Sequence, residues 1–160
     1  MKRYLFVIIL CLFFTIVSAQ RYFDCGLFNF QYDNTFSISE IENAPHMLLK
    51  LKNKRCYMSF SCWDYQIAEN RSIWDDDIIE HYKKMSGNYI SINKELVKTR
   101  SGYLRCLKTL NNLDGGIKAC NYFLFNKGFL ILCCIMEEGK YEKNSKTPYC
   151  DKVLLGLKLK

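Results

Sequence analysis

Ile117–Met136, IKACNYFLFNKGFLILCCIM, is the stretch whose reading decides the fold. Two apolar runs flank Asn126-Lys127-Gly128. A type I turn closed by a left-handed glycine suits a three-residue hairpin loop. That loop sets Phe125 opposite Phe129, Leu124 opposite Leu130, Tyr122 opposite Leu132 and Cys120 opposite Cys134. Side chains alternate across a strand. One face then carries Ala119, Phe123, Phe125, Phe129, Ile131 and Ile135. The other carries Cys120, Tyr122, Leu124, Leu130, Leu132 and Met136. Both faces are apolar, whereas a sheet with one solvated face is apolar on one side only. A covering layer is expected on each side. The unbroken run Phe129–Met136 is eight residues, well short of the ~20 that a membrane-spanning helix needs.

The same register makes Cys120 and Cys134 a candidate disulfide. Counting back from a hydrogen-bonded Phe125/Phe129 pair makes 120/134 a non-hydrogen-bonded pair, which brings side chains closest. Cys133 would point the other way; the competing arrangement pairs Cys133 with a cysteine of the opposite layer such as Cys150.

The chain starts with a positive Lys2-Arg3 followed by the apolar Leu5–Val17 and the small residues Val17-Ser18-Ala19. This is the pattern of an export signal over residues 1–19, with Gln20 first after cleavage. Residues 20–160 then fit one domain with a real core. Without Lys2 and Arg3, 21 basic residues stand against 16 acidic ones. The positive balance favours an acidic protein partner or an anionic envelope surface. A secreted or periplasmic location makes nucleic acid an unexpected partner, and no span is expected after signal removal.

Eight cysteines remain: Cys25, Cys56, Cys62, Cys106, Cys120, Cys133, Cys134 and Cys150. In an exported chain such a set suggests at least two disulfides. Buried free thiols are the alternative. No CxxC pair is present, so neither a zinc ribbon nor a thioredoxin-type site is encoded.

Phe28, Phe30 and Tyr32 alternate as in a strand packed on the core. Phe36-Ser37-Ile38 allows a further extension. Met47–Lys52 and Arg55–Trp63 read as two strands, the second with Cys56, Met58, Phe60 and Cys62 on one face. Lys50, Lys52, Lys54 and Arg55 read as the solvated tip between them. Ser72–Ser86 reads as a helix, capped by Ser72, with Asp75, Asp76 and Asp77 near its start and Lys83 and Lys84 near its end. The dipole explains the three acids without a metal. Asn70-Arg71-Ser72 is a formal glycosylation sequon. Asn88–Val97 and Gly102–Leu110 read as strands, and Glu137–Lys146 as a charged, flexible segment. A final helix is expected over Thr147–Leu157, with Thr147 as cap and Pro148 at its first position.

Two strands, a helix, four meandering strands and a helix give an α+β fold. The sheet is antiparallel, with a long central hairpin and a helix on each face, an α/β/α sandwich. This layout resembles the PsbP-like fold, shared by PsbP, DcrB-type envelope proteins and related eukaryotic binding proteins. The resemblance rests on element order, on IKACNYFLFNKGFLILCCIM and on a closing helix after Thr147-Pro148. It implies a non-enzymatic accessory or binding protein.

No catalytic, cofactor or metal residues stand out. His46 and His81 are the two histidines, and nothing in the sequence couples either to a cysteine nucleophile. No GxSxG, HExxH or phosphate-binding glycine loop is present. Glu137 and Glu138 are adjacent and would point to opposite sides of a strand, which disfavours paired-carboxylate hydrolysis. The expected function is an exported binding or accessory module. The alternative is a secreted hydrolase with scattered residues.

Overall fold

The computed structural model describes residues 20–42, 47–64, 89–126 and 128–160. Among these residues ten strands form in chain order: β1 (Arg21–Asp24), β2 (Phe28–Tyr32), β3 (Ser37–Glu42), β4 (Met47–Lys52), β5 (Cys56–Asp64), β6 (Tyr89–Thr99), β7 (Gly102–Leu113), β8 (Ile117–Asn126), β9 (Phe129–Glu138) and β10 (Leu157–Leu159). A short helix, α1 (Pro148–Val153), and a 3-10 turn over Leu154–Gly156 lie between β9 and β10. The strands build two antiparallel sheets. One has seven strands in the order β3-β4-β5-β9-β8-β7-β6, and the other has three in the order β1-β2-β10.

This corrects the expected α/β/α sandwich. The layer on one face of the large sheet is mainly the three-stranded sheet, assisted by α1, and the chain is nearly all β among the described residues. The physical reason lies at the two ends of the described chain. Phe28 and Phe30 of β2 bury their rings on Phe60 of β5, with ring centroids 5.4 Å and 4.6 Å apart. Leu154 and Leu157 join the same core as Leu49, Met58, Ile131 and Ile135. The expected closing helix does begin at Thr147 with Pro148 inside its first turn. It stops at Val153 and gives way to a strand. The expected helix Ser72–Ser86 and the expected signal segment 1–19 lie outside the described residues.

The central hairpin is where the sequence put it, in the middle of the large sheet, but its register is one residue off. Asn126 pairs with Phe129 across a two-residue connection. Gly128 has φ +81°, which a side chain would strain. Two-residue loops suit the right-handed twist of paired strands. A slip of one residue turns every side chain of a strand to the other face. The first face therefore carries Cys120, Tyr122 and Leu124 with Ile131, Cys133 and Ile135. The second carries Ala119, Phe123 and Phe125 with Leu130, Leu132, Cys134 and Met136. Cys120 pairs with Ile135 and Cys134 with Asn121, so the expected Cys120–Cys134 neighbours sit on opposite faces of the sheet.

Pairing with β5 sets Cys62, Phe60 and Met58 beside Ile131, Cys133 and Ile135, and all six are buried on the first face. The second face has a smaller apolar cluster of Leu107, Phe123 and Leu130. Beside it lies a polar knot. Asn121 Nδ2 donates to Thr109 Oγ1 and Asn111 Oδ1, each at 3.1 Å, and Thr109 Oγ1 donates to Asn111 Oδ1 at 3.2 Å. Buried side chains of this kind are tolerable because each is partnered.

Candidate functional site

Beyond β9 the chain does not loop freely, contrary to the flexible segment expected over Glu137–Lys146. Glu137 and Glu138 finish the strand. Tyr141 is buried, and its backbone is clamped to Asn112 of β7: Tyr141 N donates to Asn112 Oδ1 at 2.7 Å, and Asn112 Nδ2 donates to Tyr141 O at 3.0 Å. Ser145 Oγ accepts from Glu142 N at 2.7 Å and tightens the bend toward α1. On the far side, Asn53 Oδ1 accepts from the backbone N–H groups of Arg55 and Cys56, both at 2.8 Å. This side-chain turn fixes the β4–β5 tip.

Between these two anchored segments lies a cleft of about 520 Å³. Lys54, Arg55, Lys118 and Lys146 line it, against the carboxylates Glu137 and Glu138. Tyr141, Tyr149 and Cys150 contribute its less polar wall. The Arg55 guanidinium lies 5.4 Å from the Tyr149 ring centre, and Lys118 Nζ lies 5.2 Å from that of Tyr141. Cation–π contacts at these distances hold the charged heads over the cleft wall. Lys118 also meets Glu137 at 3.6 Å. Four cations against two carboxylates leave the opening net positive.

Thiols and phenols occupy the protein beneath the cleft. Cys56 Sγ is 3.4 Å from Tyr149 Oη, and Cys150 Sγ is 3.7 Å from Tyr141 Oη. Burial pushes the thiols of Cys56 and Cys133 up, Cys133 well above the ordinary range. Hydrogen bonds from Cys120 and Tyr141 pull Cys150 the other way, below the ordinary thiol value. Tyr141 and Tyr149 are both pushed up, chiefly by burial.

A charged cluster lies alongside. Lys108 Nζ, almost wholly buried, meets Asp151 Oδ1 at 2.8 Å and Glu95 Oε2 at 3.3 Å. Tyr122 Oη donates to the same Asp151 oxygen at 2.6 Å. Burial, the largest single influence, would lower the Lys108 ammonium, but the bond to Asp151 together with the charges of Asp151 and Glu95 outweighs it and the net direction is up. A buried cation survives when paired and hydrogen-bonded in this way. The cluster docks α1 on β7 and β8.

Two further thiols give a pH prediction. Burial pushes Cys106 up to about 12 and Cys134 up to about 11, from an ordinary value of 9.0. Between those values the folded protein keeps protons that the unfolded chain has lost. Stability from these groups is complete below pH 9.0 and falls as pH rises toward 11 and 12. Each protonated thiol contributes a slope of about 1.4 kcal/mol per pH unit. Urea unfolding at about pH 8, 9 and 10 should give progressively lower midpoints. Equal midpoints across that range would mean that these thiols are solvated.

Of the basic tip read from the sequence, Lys54 and Arg55 reach the cleft, while Lys50 turns to Glu40 in an ion pair. Lys118 and Lys146 join them there from far along the chain. His46 and His81 lie outside the described residues. Among the described residues no group of three or more His, Cys, Asp or Glu side chains is arranged to hold a metal ion. No helix there is long and apolar enough to cross a membrane.

The sequence matches no family model and no curated protein. Among solved structures, a crystal structure from Bacteroides thetaiotaomicron VPI-5482 is similar, with a TM-score of 0.53 and 12% identity. The match covers 88% of this chain and 48% of that one, so the chain spans about half the length of its structural neighbour. At this identity the likeness concerns the fold alone.

Proposed function

We propose that this protein is an exported, non-enzymatic binding or accessory module whose partner presents acidic groups to the cleft between the β4–β5 tip and residues 146–150. The observation that carries the reading is the convergence of Lys54, Arg55, Lys118 and Lys146 on one opening. Their spacing in the sequence is wide, so only the fold gathers them. Such a patch speeds encounter with an anionic surface and favours acidic partners. A hydrolase built on Cys56 or Cys133 draws less support: burial suppresses their ionisation, and a thiol acts as a nucleophile when it is ionised.

Fluorescence anisotropy with a labelled hexaglutamate peptide tests the cleft. The peptide should bind at low salt and dissociate as salt rises. The double variant Lys54→Glu/Arg55→Glu should weaken binding by at least about tenfold, since two charges are reversed. The control Lys94→Glu/Lys98→Glu on β6 should change it little. Equal losses in both variants would reduce the cleft to a share of overall charge, and no loss in the first would remove it as the site.

A further inference from the structure

The basic cleft shares a wall with a second hollow of different character. Arg55 and Tyr149, joined by their cation–π contact, line both. The second hollow has a volume of about 570 Å³, the size of a small-ligand or side-chain pocket. It is bounded by β2 and by the end of α1 with the 3-10 turn that follows. Phe30, Tyr32, Phe36 and Met58, all buried, close its floor, and the Phe30 and Tyr32 rings stack there with centroids 6.0 Å apart. Above the floor stand the half-buried Tyr149 and Val153, and beside them Leu155, which is 41% exposed. The charged rim is Arg55 and Lys152 against Asp33, and Asp33 Oδ1 already accepts from Thr35 N at 2.9 Å. The hollow is thus apolar within and positive at its edge, while the neighbouring cleft is lined mainly by charged side chains.

We propose that the acidic peptide segment bound by the cleft carries a large aromatic residue beside its carboxylates, and that this residue seats in the second hollow. The proposal rests on the cleft reading and adds to it the residue that anchors the partner. Continuity is the first argument. Arg55 and Tyr149 belong to both openings, so an extended segment lying across them puts neighbouring side chains into each. Charge is the second. A rim carrying Arg55 and Lys152 accepts an apolar side chain flanked by carboxylates and disfavours one flanked by lysine or arginine. The two openings then divide the work. The cations of the cleft draw in and orient the acidic segment. Burial of one aromatic ring against Tyr149, Val153 and Leu155 supplies the affinity, as aromatic anchors do in interface pockets. A purely acidic segment would leave Leu155 in water and the hollow unused.

The test is fluorescence anisotropy of the whole protein with two labelled peptides of equal charge, Glu-Glu-Glu-Trp-Glu-Glu and Glu-Glu-Glu-Gly-Glu-Glu. The tryptophan peptide should bind about tenfold more tightly. Added salt should weaken both peptides and keep their ratio, because burial of a ring is not screened. Leu155→Asn should cut the preference at least about threefold by weakening the tryptophan peptide. Ile41→Asn, at a similarly exposed apolar residue of β3, should leave the preference intact. Lys152→Glu changes an exposed lysine that lines the hollow and not the cleft, and should weaken the tryptophan peptide more than the glycine peptide. Equal affinities for the two peptides in the parent protein overturn the proposal and leave the cleft reading standing. Failure of both peptides to bind overturns the cleft reading and the proposal with it. A preference that survives Leu155→Asn in full overturns the proposal, as does equal weakening of both peptides by Lys152→Glu. Should Leu155→Asn fail to fold, the parent comparison and Lys152→Glu decide the matter.

Discussion

Ile131→Asp is expected to leave no cooperatively folded protein at room temperature. Ile131 is fully buried in β9, between Leu124 of β8 and Cys62 of β5. The core cluster around it runs from Phe60 to Leu154. A carboxylate there would lose its water without gaining a cation, a penalty of several kcal/mol. Protonating the group removes the charge but still loses the packing of the isoleucine, worth about 2–5 kcal/mol. Against a total stability of about 5–15 kcal/mol, either route is ruinous. Leu132→Asp makes the matched comparison, since Leu132 is half-buried and on the second face. It should cost about 1–3 kcal/mol and leave a measurable transition. Thermal melts followed by circular dichroism compare the two. An Ile131→Asp protein melting within about 5 °C of the parent would show that this face is not the core.

The second large effect concerns a single methyl group. At Gly156 an added Cβ would meet the backbone carbonyl oxygen of Gln31 at 2.0 Å and the Phe30 ring at 3.0 Å. Neither neighbour is the loose end of a side chain. β2 and the turn before β10 touch here backbone to backbone, and β10 pairs with β2 immediately afterwards through Leu157 and Phe30. Gly156→Ala must therefore push the two apart. The expected loss is about 3 kcal/mol, at the upper end of ordinary overpacking. Amide exchange of residues 28–32 and 157–159 should accelerate more than that of β8 and β9, because the strain is confined to the small sheet. Unchanged exchange in the small sheet would mean that the close approach relaxes at little cost.

How much of this was legible in the sequence depends on whether the residue pattern had a period to report. Cys56, Met58, Phe60 and Cys62 alternate with more polar neighbours, and β5 came out with that face buried. Phe129–Met136 is apolar at every position, so a one-residue slip leaves its pattern unchanged and the register rested on the turn alone. Asn126-Lys127-Gly128 can serve a two- or a three-residue loop, and the pairing of Asn126 with Phe129 selects the shorter. Thr147-Pro148 announced the start of α1 correctly. Its end was hidden because Leu154 and Leu157 keep helical spacing, while the event that ends it, the approach of Gly156 to β2, is a long-range contact. The same distance concealed the second layer. Nothing near Phe28 signals that its strand will pair with one near Leu157. The cleft was half legible: adjacent Lys54 and Arg55 stood out, whereas Lys118 and Lys146 join them only through the fold.

β2 is held between β1, its neighbour in sequence, and β10, the last strand described. Lys160 N also donates to Leu27 O at 3.0 Å, and the Lys160 side chain reaches Asp24. The small sheet is thus a clasp whose two halves lie far apart in the sequence. Until Leu157–Leu159 arrives, β2 has an open edge with unpaired N–H and C=O groups, the kind of edge that recruits strands from other chains. Bringing the halves together also closes a very long loop, from β2 to β10, the kind of contact that slows folding. The clasp therefore makes the small sheet depend on a segment far along the chain. A chain cut before Leu157 would keep the strands of the large sheet and leave the β2 edge open, which makes that product sticky.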